Sequence, residues 1–120
     1  LDPPSAQRLQ IVAELHKAGA LLLLGTDAPM LCTVPGFSVH QELQNFVDAG
    51  LTPFDALKTA TLNPAIFWNQ LDERGTVSVG KEADLLLLRA NPLDDIRATQ
   101  EIIGVMVNGE WFASPSCIGQ

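Results

Sequence analysis

Five consecutive apolar residues, 20–24, stand between Gly19 and Gly25 and constrain this 120-residue chain more than any other feature. A strand with one solvated face alternates apolar and polar residues, whereas a short unbroken apolar run reads as a strand buried on both faces, as in a parallel sheet. The preceding stretch fits such an arrangement. Ser5 is placed to cap a helix whose Leu9, Ile11, Val12 and Leu15 form one apolar stripe, and Gly19 supplies a left-handed stop. Helix, turn and buried strand make half of an α/β unit. Residues 25–38 hold Gly, Pro and Thr with neither helical nor strand periodicity, so they read as the loop after the strand, where α/β folds carry function.

Asp27 follows the apolar run by three residues, within Gly25-Thr26-Asp27-Ala28-Pro29. The C-terminal end of a parallel strand is where α/β barrels gather their active-site side chains. A carboxylate there can bind a divalent metal or take a proton from an activated water. The alternative role for the same carboxylate is local hydrogen bonding in a turn. His16 and His40 are the only histidines, and neither has the HxH or HExxH spacing of a self-contained metal site. His16 lies near a helix C-terminus, where the helix dipole favours an imidazolium, and reads as structural. His40 heads the next helix, close after the loop, and is not read as a metal ligand. Trp68 and Trp111 read as core anchors.

Beyond the loop, a second helix is expected over residues 39–49, with Leu43, Phe46 and Val47 on one face and Gly50 as its stop. Thr52-Pro53-Phe54-Asp55 offers a cap, a proline at the first helical position and an acid in the first turn, for a helix reaching Ala60 or Thr61. Asn63-Pro64 repeats the device and predicts a short fourth helix through Trp68. After residue 69 glycines punctuate short apolar runs, and the character turns to β. Strands are expected over 76–79, 84–88 and 102–107, and Asn108-Gly109 signals a type I′ hairpin into 110–112.

Fourteen acidic against seven basic residues give a net charge of −7, and the basic residues are scattered singly. Nucleic acid, which needs a positive footprint, is excluded as a partner. With 47% apolar and 18% charged residues the chain is expected to fold. Its longest apolar run falls far short of the roughly 20 residues that span a bilayer, and residues 1–5 do not resemble a secretory leader. Cys32 and Cys117 are too distant in sequence for a CxxC motif and read as small hydrophobes. A cytoplasmic protein is the expectation.

Four stretches acquire a further meaning together. They are Leu23-Leu24-Gly25-Thr26-Asp27-Ala28; His40-Gln41-Glu42-Leu43 running into Ala49-Gly50-Leu51-Thr52-Pro53; Ala60-Thr61-Leu62-Asn63-Pro64-Ala65; and Gly75-Thr76-Val77-Ser78-Val79-Gly80-Lys81-Glu82-Ala83-Asp84-Leu85. In that order they resemble the amidohydrolase superfamily, and within it the imidazolonepropionase-like and Xaa-Pro dipeptidase-like branch. The resemblance implies an α/β fold: the C-terminal part of a distorted (β/α)8 barrel over residues 1–68, with 21–24 as its eighth strand, then part of a small β-sandwich over 69–120. It implies that Asp27 matches the strand-eight aspartate of that family, both metal ligand and general base, in an enzyme hydrolysing an amide or cyclic amide or amidine C–N bond. The implied cofactor is a divalent metal, zinc above all, and the implied partner a small amide or dipeptide-like substrate. The HxH pair, carboxylated lysine and two further histidines of that family have no counterparts here, so the resemblance implies a C-terminal fragment inactive by itself. An apolar strand without its neighbours also predicts self-association into a homo-oligomer. Two other readings stay open: a non-catalytic partner-binding module, and a parent enzyme that deaminates a nucleobase-like ring.

Overall fold

The computed structural model describes residues 5–29 and 34–114. Four helices come first: α1 (Ala6–Lys17), α2 (Ser38–Asp48), α3 (Pro53–Ala60) and α4 (Leu62–Phe67). Three strands follow, β1 (Leu85–Leu88), β2 (Ile102–Val107) and β3 (Glu110–Ala113), with a 3-10 helix (Ile96–Gln100) between the first two.

The helix stops lie where the sequence puts them. Gly19 and Gly50 follow α1 and α2 with φ of 79° and 103°, a region that glycine enters without steric cost. Thr52 caps α3 as expected: its hydroxyl accepts from the Asp55 amide at 3.1 Å and donates to the Asp55 carboxylate at 2.6 Å. Asn63, by contrast, does not cap α4, which begins one residue earlier at Leu62. Its side chain is engaged elsewhere, as described below.

The core is built where α2, α3 and the 3-10 helix meet. Leu43 and Phe46 of α2, Leu51, Ala56 of α3 and Ile96 are buried together, with Val12, Leu22 and Leu24 packed against them. The 3-10 helix was not foreseen. It starts because the Asp95 side chain accepts from the Arg97 amide at 2.9 Å, a capping bond that turns the chain and drives Ile96 into the helical core. Helix α1 is more peripheral than its apolar stripe predicts, with Ile11 60% and Leu15 44% exposed.

The three strands form one antiparallel sheet in the order β1-β2-β3. Asn108 and Gly109 connect β2 to β3 with φ of 50° and 81°, the pair of left-handed residues that a type I′ turn requires. The turn is tied back to the entry of β1, for the Asp84 carboxylate accepts from the Asn108 amide at 2.8 Å. Trp111 lies over Gly104, where an added Cβ would run into the indole ring.

Three expectations need correction. Residues 21–24 form no strand, because a strand is a relation to a neighbour and no described residue pairs with them in a ladder. Residues 76–79 form no strand either: Val77 and Val79 are 85% and 107% exposed, and the segment is closed into a loop by Lys81, whose ammonium donates to Thr76 Oγ1 at 2.7 Å and to the Leu71 carbonyl. Trp68 and Trp111 are not core anchors, being 68% and 45% exposed, and Trp68 packs edge-on against Phe67. Cys32 and Cys117 lie outside the described residues. No helix among the described residues is long and apolar enough to cross a membrane.

Candidate functional site

Although residues 21–24 lack ladder partners, they are not loose. The Leu24 amide donates to the Thr59 carbonyl at 2.9 Å, and the Asn63 side-chain amide donates to the Leu22 carbonyl at 2.8 Å. Both partners belong to the α3–α4 junction. One residue further on, the Gly25 amide donates to Glu42 Oε1 of α2 at 3.0 Å. Backbone groups half-withdrawn from water, as at Leu22 and Leu24, are costly to leave unpaired, and here helices supply what a neighbouring strand would.

Beyond these three tethers the chain turns sharply. Asp27 has a φ of 51°, in the left-handed region that few non-glycine residues enter, and the following Ala28–Pro29 peptide is cis. The Asp27 side chain is exposed and has no hydrogen-bond or ion-pair partner among the described residues. An aspartate tolerates this backbone better than most residues, yet the conformation still costs about 1–2 kcal/mol. The three tethers lie two to five residues upstream of it.

His40 is not drawn toward Asp27. Its Nδ1 lies 3.0 Å from Thr99 Oγ1, and the Thr99 hydroxyl spends its only proton on the Ile96 carbonyl at 2.9 Å. With the Thr99 proton on that carbonyl, the tautomer that satisfies both contacts has Nδ1–H donating to Thr99. The imidazole joins α2 to the 3-10 helix and borders an open cleft of about 620 Å³ that Asp48, Asp94, Asp95 and Arg97 also line. His16 likewise bridges elements, with Nε2 3.8 Å from Asp55, whose carboxyl Lys58 and Thr52 hold below the usual carboxylate range.

Burial lowers the pKa of His40 below its ordinary 6.5. Between the two values the unfolded chain binds a proton that the folded chain refuses, so the contribution is complete above pH 6.5 and is lost as pH falls through the folded value. Urea midpoints measured from pH 7.5 downward are expected to decline over this window, and to decline less in His40→Gln. An identical slope in both proteins would assign the dependence to other groups.

Asp27 offers a hard oxygen donor suited to a divalent cation, but one donor makes no site. Among the described residues no group of three or more His, Cys, Asp or Glu could hold a metal. The sequence did not reveal the tethering residues. Glu42 and Asn63 lie in the motif stretches, but only as motif letters, and Asn63 was read as a cap. A usable signal existed for Glu42: it adjoins Leu43 on the apolar stripe of α2, at the margin of the core.

The amidohydrolase family model matches residues 5–112 of this chain. The chain is 37% identical over 121 residues to ochratoxinase of Aspergillus niger, covering 90% of this chain and 24% of that protein. It is 34% identical over 82 residues to imidazolonepropionase of Streptococcus gordonii, covering 68% of this chain and 26% of that one. Among solved structures it superposes on a Xaa-Pro dipeptidase with bound methionine with a TM-score of 0.82 and 25% identity, covering 90% of this chain and 26% of the other. It thus spans about a quarter of the length of these relatives. A match over nearly all of its described residues, in both sequence and backbone, makes this chain a member of the amidohydrolase family.

Proposed function

We propose that this chain supplies Asp27 to the active centre of a larger metal-dependent hydrolase that cleaves an amide, or a cyclic amide or amidine, C–N bond. The observation that carries the reading is the setting of Asp27: an exposed carboxylate in left-handed backbone, held at the end of a tethered apolar segment, without a partner among the described residues. Strained backbone that its surroundings maintain is a recurring mark of functional positions. The relatives named ochratoxinase, imidazolonepropionase and Xaa-Pro dipeptidase support hydrolysis.

In this reading Asp27 is both a ligand to the cation and the general base. Asp27 would be one ligand of a divalent cation, zinc by the family resemblance, which would supply Lewis-acid polarisation of the scissile carbonyl and of the attacking water. The Asp27 carboxylate accepts a proton as the water oxygen bonds to the carbonyl carbon, then returns it to the nitrogen as the C–N bond breaks. The other ligands belong to parts of the protein outside the described residues.

The test is metal dependence in the full-length protein. Chelation is expected to abolish hydrolysis of N-acyl amino acids and dipeptides, and added zinc to restore it. The 120-residue chain by itself is expected to show no tight one-to-one zinc site by isothermal titration. Turnover that survives complete metal removal would sink the metal-dependent reading. A tight site on the chain alone would show that its ligands are all present here.

A further inference from the structure

The three tethers before Asp27 are not equivalent. Those from Thr59 and Asn63 come from the α3–α4 junction and hold Leu24 and Leu22. The third comes from α2, and it alone acts within two residues of Asp27, where the chain has already left the apolar segment. Glu42 is half-buried, and the bond to the Gly25 amide is its side chain's only hydrogen bond or ion pair among the described residues. A carboxylate accepting from a backbone amide makes a stronger and more directional bond than a neutral acceptor. The position of Glu42 is itself fixed, because the adjacent Leu43 is buried in the core at 3% exposure. Gly25 has nothing within 4 Å of the place a Cβ would occupy and no left-handed φ, so packing does not set its backbone. The bond its amide gives to Glu42 is its one hydrogen bond among the described residues.

We propose that Glu42 is a positioning residue for Asp27: by holding the Gly25 amide it sets the backbone from which the Asp27 carboxylate departs. This inference rests on the role proposed above for Asp27. Glu42 touches no reacting atom, so its removal moves the base without altering what the substrate binds. Displacement of a catalytic group by about an ångström can cost a hundredfold in rate. Loss of an outer partner of a metal ligand typically costs about 10–100-fold.

The decisive comparison in the full-length protein is Glu42→Met against Glu42→Gln. Both are unbranched, of similar length and good helix formers, but only glutamine keeps an oxygen to accept from Gly25. Glu42→Met is expected to lower kcat about 10–100-fold with KM changed less than about threefold, and to speed hydrogen exchange at the Gly25 amide. Glu42→Gln is expected to recover most of kcat and of the protection. Glu42→Gln behaving like Glu42→Met, or Glu42→Met turning over at the wild-type rate while Asp27→Asn is inactive, overturns the role of Glu42 and leaves that of Asp27 standing. Wild-type turnover in Asp27→Asn overturns both.

Discussion

Asp27→Asn in the full-length protein is expected to fold as the wild type and to lose at least about 10²–10⁴-fold in kcat, the span that a positioned general base contributes. The loss should be larger still, because the neutral amide also withdraws an anionic ligand from the cation. Folding should be preserved for a specific reason. Asparagine enters the left-handed region as readily as aspartate, so the φ of 51° is kept. The side chain is exposed and partnerless among the described residues, so no buried bond is lost. Turnover at saturating substrate, measured beside a thermal melt, decides the matter. A variant that melts like the wild type and turns over within tenfold of it removes Asp27 from the chemistry.

Gly75→Ala is expected to destabilise the fold by about 2–4 kcal/mol, through two effects that add. The backbone at Gly75 has a φ of 92°, which a Cβ penalises, and that Cβ would stand 2.5 Å from the Ala65 Cβ and 3.2 Å from the Thr61 carbonyl oxygen. Neither neighbour is a flexible side-chain end, and Ala65 is buried at 3% exposure. Relief therefore requires α4 to move off the loop that follows it. Gly80 provides the internal comparison, with a φ of 90° but nothing within 4 Å of its Cβ position. Gly80→Ala should show only the backbone cost, about 1–2 kcal/mol, offset slightly by the stiffer unfolded chain. Urea denaturation of the two variants separates the terms. Equal midpoints would mean that the loop yields freely and that the close approach of Gly75 to α4 contributes nothing.

Local signals in this sequence proved readable where the physics is local. Gly19, Gly50, Thr52-Pro53 and Asn108-Gly109 act on the backbone within a few residues of themselves, and each ends, starts or turns its element as expected. The strand over 102–107 lies where its apolar run puts it, and the strand expected over 84–88 begins one residue later, at Leu85. Patterns that depend on neighbours fared differently. The apolar run 20–24 says that its side chains avoid water, and Leu22 and Leu24 do pack on the core, but it does not say what its amides bond to. The alternating valines at 77 and 79 suggest a half-buried strand, yet a lysine four residues beyond the first of them closes the segment as a loop. The place of Asp27 after the apolar run is local information. Its setting is not, since the bonds that make it join residues 17 and 41 positions apart.

That separation also has a direction. Glu42, Thr59 and Asn63 all come later in the chain than the segment they hold. On a ribosome, where the N-terminal end emerges first at about 5–20 residues per second, the 41 residues between Leu22 and Asn63 correspond to roughly 2–8 seconds. Within that interval the anchors arrive in turn, Glu42 17 residues after Gly25, then Thr59, and Asn63 last. The full set of three tethers is therefore available only once the chain has been made as far as α4.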